Sequence, residues 1–466
     1  MPLDDRKLSA LAFVAGVAAA APAALWLWGF MVDDALIIAR YAHHLARGDG
    51  YRFNAGGPVT DGVTPLGFVL FLAPFAGEGV LSAFRAAKLL GFCAWLAGAG
   101  FLGLAIHRLE GARRKWLALL LLLASAPLGA WSVAGMETGA VMALGSGAAS
   151  ARALGRERAA TACAALLAAW RPECALYALV LALAPPRAAD SPKQRWLRLV
   201  AVLAPVLVVV LLRLVLFGHA APLGAIAKQS DLKHGVYYAL ACLLLCGPLA
   251  AVAYKSLPSW ARGLLAAVGA HFIAMAIAGG DWMPLSRLAV PALPGAILVA
   301  ACALGHARPL FAYPRWLLGL AGPLYVLATI GPRAAAVGEK RMALIDELRP
   351  ALRDARVIAA LDVGWVGAAS DATIVDLAGV TDPAVAVLPG GHTSKPIPHA
   401  LIVKRGVDTL VLRLADQGEL REPWTHSDFA TRVEFNVAFM PRMTEDFVVV
   451  GASSGSLRYL VLRHRR

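Results

Sequence analysis

The sequence predicts an all-α polytopic membrane module of about eleven transmembrane helices, residues 1–332, followed by an external α/β domain, residues 333–466. Three observations carry that expectation. Hydrophobic residues make up 59% of the 466-residue chain and charged residues 16%, whereas soluble domains average roughly 45–50% and about 25%. Apolar stretches near the length that crosses a bilayer core recur through the first two thirds, and the mean hydropathy is +0.65. After residue 333 the pattern changes to short β-branched runs divided by turn residues: VIAALDVGWVG, ATIVDLAGV, VDTLVLRL, DFVVVGA and LRYLVLRH.

The first apolar stretch, about 8–28, has no convincing small-residue cleavage site before Met31-Val32-Asp33-Asp34, so it reads as a retained span and not a signal peptide. An external loop, 29–86, follows. Its apolar piece TPLGFVLFLAPFAG, 64–77, is too short to cross and reads as re-entrant or interfacial. Further spans are expected at about 87–106, 116–131, 138–152, 159–170, 172–184, 197–217, 236–254, 263–279, 288–305 and 316–332. The pair 159–170 and 172–184 is short, divided by Arg171-Pro172-Glu173. In the tail, 339–353 and 398–405 read as helices between the strands. Gly364 and Gly367 do not make a dinucleotide fingerprint, and no cofactor is implied. The six cysteines all fall in apolar spans and read as small core residues.

The formal charge of +14 is unevenly placed. The tail carries 17 Lys/Arg and 16 Asp/Glu, which leaves 27 basic and 14 acidic residues for 1–332. The basic residues gather in short connectors: Arg6-Lys7, Arg108/Arg113/Arg114/Lys115, Arg152/Arg156/Arg158, Arg187/Lys193/Arg195/Arg198, Lys255/Arg262 and Arg308/Arg315. That is the positive-inside pattern, and it places the amino terminus in the cytoplasm and the tail outside. A nucleic-acid partner would need a basic patch on a soluble face, and none appears.

The acids divide the other way. Asp4, Asp5, Glu110, Glu157 and Asp190 fall inside; Asp33, Asp34, Asp49, Asp61, Glu78, Glu137, Glu173, Asp231 and Asp281 fall outside or at the outer boundary. Ionisable groups near a bilayer are costly, so the outer face is where chemistry is expected. The acidic pair Asp33-Asp34 opens a helical stretch on which Asp33, Arg40, His44 and Arg47 lie within about 40° of one another.

The stretch VDDALIIARYAHHLARGDGYRFNAGGPVTDGVTPL resembles the first external loop of a bacterial group of GT-C glycosyltransferases that includes the terminal arabinofuranosyltransferase of mycobacterial cell walls. SVAGMET at 132–138, WRPE at 170–173, GGDWMPLSRLAVPALP at 279–294 and DVGWVGAASDATIVDLAGVTDP at 362–383 resemble further motifs of that group, in the same order. Asp61 stands where Glu is usual, Val63 where an aromatic is usual, and Gly67 where Trp often follows. The resemblance implies a GT-C fold and transfer of a sugar from a polyprenyl-phosphate carrier on the outer face of the bacterial cytoplasmic membrane. The acceptor would be an envelope glycan or glycolipid, and arabinofuranose is one option for the sugar.

The chemistry expected of such a site is simple. A polyprenyl phosphate is a good leaving group, so one carboxylate that takes the acceptor proton suffices, with inversion at the anomeric carbon. Asp33 is the expected general base, with Asp34 orienting it or binding acceptor. Positive charge must meet the departing phosphate, and Arg40, Arg171, Arg287, Lys228 and Lys233 are the outer-face candidates. Glu137 is expected to orient substrate or bind a metal, and Asp281, Trp282 and Arg287 to bind sugar or carrier. Tyr41, His44, Asn54, Asp61, Thr64 and Glu173 complete the expected substrate-binding set. Asp362, Asp371, Asp376 and Asp382 read as turn and cap residues. No metal ligand is assigned; the paired acids permit Mg²⁺ or Mn²⁺ without any spacing that demands it. The alternatives are a transporter or flippase for a lipid-linked or polar solute, and a membrane scaffold that binds through its tail.

Overall fold

The structure is a computed structural model that describes residues 4–110, 113–185, 191–228, 230–252, 257–415 and 424–465. Arg187, Asp190 and Lys255, used above as topology charges, lie outside the described residues. The chain forms two compact units. A helical unit comprises Met1–Met31, Ala87–Leu211 and Ser230–Ala335; a sheet unit comprises Val32–Ala86, Leu212–Gln229 and Ala336–Arg466. The tail is thus packed together with the first loop and with the short 212–229 segment.

Four helices are long and apolar enough to cross a membrane: Asp5–Trp26, Val80–His107, Pro192–Phe217 and Ser259–Ile277. A fifth is added if Pro309–Thr329 and Gly331–Leu352 are taken as one broken span. Small residues let these helices touch. A Cβ on Gly16 would stand 2.1 Å from the Ala99 carbonyl oxygen, and one on Gly103 would stand 2.3 Å from that of Ala12. Without a hydrophobic force between helices in lipid, such close backbone contact is the main source of packing energy. Pro192–Phe217 is different: Leu203, Leu207, Leu211 and Val215 all stay exposed, as expected of a helix that faces lipid.

Several expected spans are broken. The stretch 116–131 is two seven-residue helices, Leu117–Leu123 and Ala126–Ser132. The Ser125 side chain caps the second, and Pro127 sits in its first turn, a start signal inside an apolar run. The expected 236–254 is a helix Leu232–Leu245 and a short 3-10 turn Pro248–Ala251, separated by Gly247 at φ 81°. The 64–77 piece is a seven-residue helix Leu66–Leu72 followed by a 3-10 turn.

The sheet has five strands, β1 (Val357–Ala360), β2 (Thr373–Asp376), β3 (Thr409–Arg413), β4 (Phe447–Ala452) and β5 (Tyr459–His464), in the order β2-β1-β3-β5-β4. β1 is parallel to β2 and β3, while β3, β5 and β4 run antiparallel in turn. The central strands are buried on both faces, which explains their unbroken apolar sequences. One core packs Ala359, Val375, Leu410, Leu412, Leu460 and Leu462 against Val433 and Val437. The run VIAALDVGWVG is not one strand. It ends as β1 at Ala360, and Val363–Ala369 is a helix whose start is fixed by a carboxylate from elsewhere in the unit.

Candidate functional site

The helix Asp33–Ala46 places Asp33 and Arg40 seven residues apart, two turns, on one face. That face lies along the Val363–Ala369 helix. Asp33 accepts from the Gly364 amide at 2.7 Å and the Trp365 amide at 2.9 Å, the free N–H groups at that helix's start. Arg341 donates to the same carboxylate at 2.5 Å. At the other end Arg40 donates to the carbonyls of Gly367, Ser370 and Ala372 at 2.8–2.9 Å, and to that of Phe53 at 2.8 Å. Acid at the amino end and base at the carboxyl end both match the dipole of the clamped helix. The glycines of DVGWVG make room: a Cβ on Gly364 would stand 2.1 Å from the Asp33 carbonyl oxygen, and one on Gly367 2.8 Å from the Arg40 side chain.

This corrects the expectation for Arg40. It is 2% exposed and four of its five donors are used on main-chain carbonyls, so the geometry makes it a clamp on the Val363–Ala369 helix. Asp33 keeps more scope. A carboxylate offers about four lone-pair sites, and three donors occupy three of them. Burial pushes the Asp33 carboxyl up to about 7, against the Arg341 guanidinium and the two amides, with Asp362 nearby adding to the rise. Asp34, half-buried, occupies the second position of the helix; the preceding Val32, not Asp34, is the N-cap.

Other loop residues prove to hold the loop. Tyr41 is fully buried; its hydroxyl meets Thr60 Oγ1 at 2.6 Å and accepts from the Gly62 amide at 3.2 Å. His44 Nδ1 meets the Arg52 carbonyl at 3.1 Å, and burial lowers its pKa. Asn54 pairs through both ends of its amide with the main chain of Ile374, 2.9 Å each way, closing the outer edge of β2. Asp61, fully buried, binds Arg213 at 2.7 and 3.4 Å, and Arg213 also donates to the Val63 and Thr64 carbonyls. Of these expected substrate ligands, Tyr41, Asn54 and Asp61 have their side-chain polar groups held by protein partners and His44 has one ring nitrogen held, whereas at Thr64 it is the main-chain carbonyl that Arg213 meets. Lys228 makes no ion pair among the described residues and stays half-buried at the end of the Leu223–Ala227 helix.

The helical unit brings together a second set. Arg171 lies between Glu137, 3.2 Å, and Glu173, 3.1 Å. Arg287 pairs with Asp281 at 2.7 Å and lies over the Trp131 ring. Trp282 is 70% exposed and stacks on His234 with ring centroids 4.3 Å apart. Both arginines have carboxylate partners, so neither is a free cation awaiting phosphate.

Residues 333–454 match the model of a domain of unknown function, DUF8728. No curated protein matches the chain. The DUF8728 segment contains Arg341, Gly364, Trp365, Gly367 and the Asp376 loop, in which one carboxylate accepts from the Ala378, Gly379 and Thr381 amides. It therefore supplies the partners of Asp33 and Asn54 and three of the four carbonyls that Arg40 meets. Arg341 and Arg213 were not singled out in the sequence; each sits in an ordinary helical pattern, and only the fold reveals the carboxylate opposite. Among the described residues no three His, Cys, Asp or Glu side chains gather to hold a metal ion.

Proposed function

We propose that the chain is an inverting glycosyltransferase of the bacterial cytoplasmic membrane. It would move a sugar, arabinofuranose being the first candidate, from a polyprenyl-phosphate donor to an envelope glycan or glycolipid on the outer face. The observation that carries this reading is Asp33: a carboxylate on the first loop, held by two amides and a guanidinium, with burial raising its pKa to about 7. A general base works best with a pKa near the operating pH and a fixed orientation. The acceptor hydroxyl would pass its proton to Asp33 as its oxygen bonds to the anomeric carbon. The bond from that carbon to the phosphate oxygen breaks on the opposite side, and its electron pair leaves on the phosphate. Lys228, in the same unit as Asp33, is an outer-face cation left to meet that charge. The co-linear motif pieces support the donor class, and the positive-inside pattern supports eleven spans with the amino terminus in the cytoplasm.

The test is Asp33→Asn in the full-length protein, read by sugar transfer and thermal stability together. The expected result is loss of transfer by at least about a hundredfold, with the folded protein still recovered. Unchanged turnover would sink the assignment. A transporter or flippase draws on one observation, the fully buried Glu137 beside Arg171 in the helical unit. Movement of a labelled solute without any new glycosidic bond would favour it.

A further inference from the structure

Three helix breaks converge in the helical unit. One is the turn before Thr138, with Gly135 at φ 81°; one is Arg171-Pro172-Glu173, between Glu157–Trp170 and Ala175–Leu183; one is Leu285-Ser286, two non-glycine residues at φ 58° and 55°. Interrupted helices among membrane spans are tolerated where they build a site, and strain of this kind collects there. Each break delivers charge: Glu137, Arg171 with Glu173, and Arg287 with Asp281.

Two residues outside the motifs join them. Tyr177 and His271 are 1% and 0% exposed, with ring centroids 6.4 Å apart. His271 Nε2 meets the Leu288 carbonyl at 2.7 Å, and the main chain of Glu173 lies against the same ring. Among the described residues the Tyr177 hydroxyl, Arg171 Nη2 and Glu137 Oε2 have no hydrogen-bond partner. Glu137 Oε1 and Glu173 Oε1 have ion-pair contact with Arg171 but no well-aligned hydrogen bond. Buried polar atoms left in this state are costly unless something meets them.

We propose that Glu137, Arg171, Glu173, Tyr177 and His271 form a binding centre for a neutral, hydroxyl-rich ligand, the sugar itself, with Tyr177 and His271 as positioning residues. The unmet set is mostly acceptors with a few donors, which hydroxyl groups satisfy because each both donates and accepts. Three carboxylates face two guanidiniums there, and that balance repels a phosphate. The prenyl carrier in the main probe rests on the function proposed above; the ligand class does not.

The probes are a short-chain prenyl phosphate bearing arabinofuranose, mannose or glucose, the same prenyl phosphate without sugar, and the free methyl glycosides, titrated into the full-length protein in detergent. The expected result is that the protein binds at least one sugar-bearing probe more tightly than the bare carrier. Tyr177→Phe and His271→Ala should each weaken that probe by about three- to tenfold, with the bare carrier unaffected. Tyr177→Phe should also leave Tm unchanged or raised, because it removes a hydroxyl with no partner. A lowered Tm with unchanged affinities would make that hydroxyl structural and overturn the proposal. Equal losses for sugared and bare carriers, or no sugar discrimination by the unaltered protein, would overturn it too. Binding of a methyl glycoside without any sugar transfer would sustain this centre and defeat the transferase.

Discussion

Arg40 and Asp33 look alike in the sequence, as charged residues on one helical face beside a membrane, but the structure gives them different scope. Arg40 spends four of its five N–H donors on main-chain carbonyls. Arg40→Ala should cost the sheet unit at least about 3 kcal/mol, because carbonyls are left without donors. Arg40→Lys should recover little, since one ammonium cannot reproduce the guanidinium's spread of donors. Thermal unfolding of the purified protein reads both; near-native stability of Arg40→Lys would return the residue to phosphate binding. Asp33 belongs with a set of buried carboxyls. Burial raises Asp33 and Glu434 to about 7 and Asp376 to about 6, and it raises Asp61 as well. A folded pKa above the unfolded one means that the folded state holds more protons. Stability is then fully present below about pH 4 and falls as pH rises toward 7. His44, lowered by burial, pulls weakly the other way. Tm measured from pH 5 to pH 8 should therefore fall, by several degrees; a rise would mean that the ion pairs outweigh these carboxyls.

Helix ends explain much of what the sequence left ambiguous. Lys88 donates to the Trp28 and Phe30 carbonyls just past Asp5–Trp26, and Lys115 to those of His107 and Leu109 past Val80–His107. In the last turn of Ala175–Leu183 and just after it, Arg152 meets the Leu181 and Ala184 carbonyls and Arg198 that of Ala182, and buried Lys395 meets the Ala386 and Leu388 carbonyls. Lys115, Arg152 and Arg198, expected from the sequence to mark orientation, are thus also caps for orphaned carbonyls. The five strands and the two tail helices could be read from β-branched runs and amphipathic spacing. The Val363–Ala369 helix could not, since its start depends on Asp33 more than three hundred residues earlier. For the same reason the motif pieces resisted separation into catalytic and structural residues: first loop and DUF8728 segment are each other's partners. Gly364→Ala and Gly367→Ala test that dependence. A Cβ at either site must push the two helices apart, so each should destabilise the sheet unit by about 2–3 kcal/mol. Protease sensitivity of 336–466 should rise with it, and an unaltered digestion pattern would mean that the clamp carries little of the unit's stability.

The composition of the sheet unit also constrains how the whole chain threads a membrane. A compact unit with a mixed sheet cannot straddle the hydrocarbon core, so 32–86, 212–229 and 336–466 share one side. In a membrane that condition would require an even number of crossings between 86 and 212 and again between 229 and 336. Val80–His107 and Pro192–Phe217 meet the first condition, but Ser259–Ile277 alone does not meet the second. Within the helical unit, Ser230 Oγ donates to the Ile277 carbonyl and His234 Nδ1 meets that of Gly279. The start of Leu232–Leu245 therefore lies beside the end of Ser259–Ile277, with Gly279 next to Ser230, as the eleven-span reading needs if both helices cross. The eleven-span reading further requires Leu293–His306 and Pro309–Thr329 to be a second pair. Single cysteines at Ala55, Ala220, Trp282 and Ser427 should all react with a membrane-impermeant thiol reagent from the outer face, while cysteines at Lys7 and Lys193 should not. Trp282 is the deciding position. If Leu232–Leu245 fails to cross, Trp282→Cys will label from the opposite side to Ala55→Cys, and the eleven-span arrangement will have to give way to one with fewer crossings.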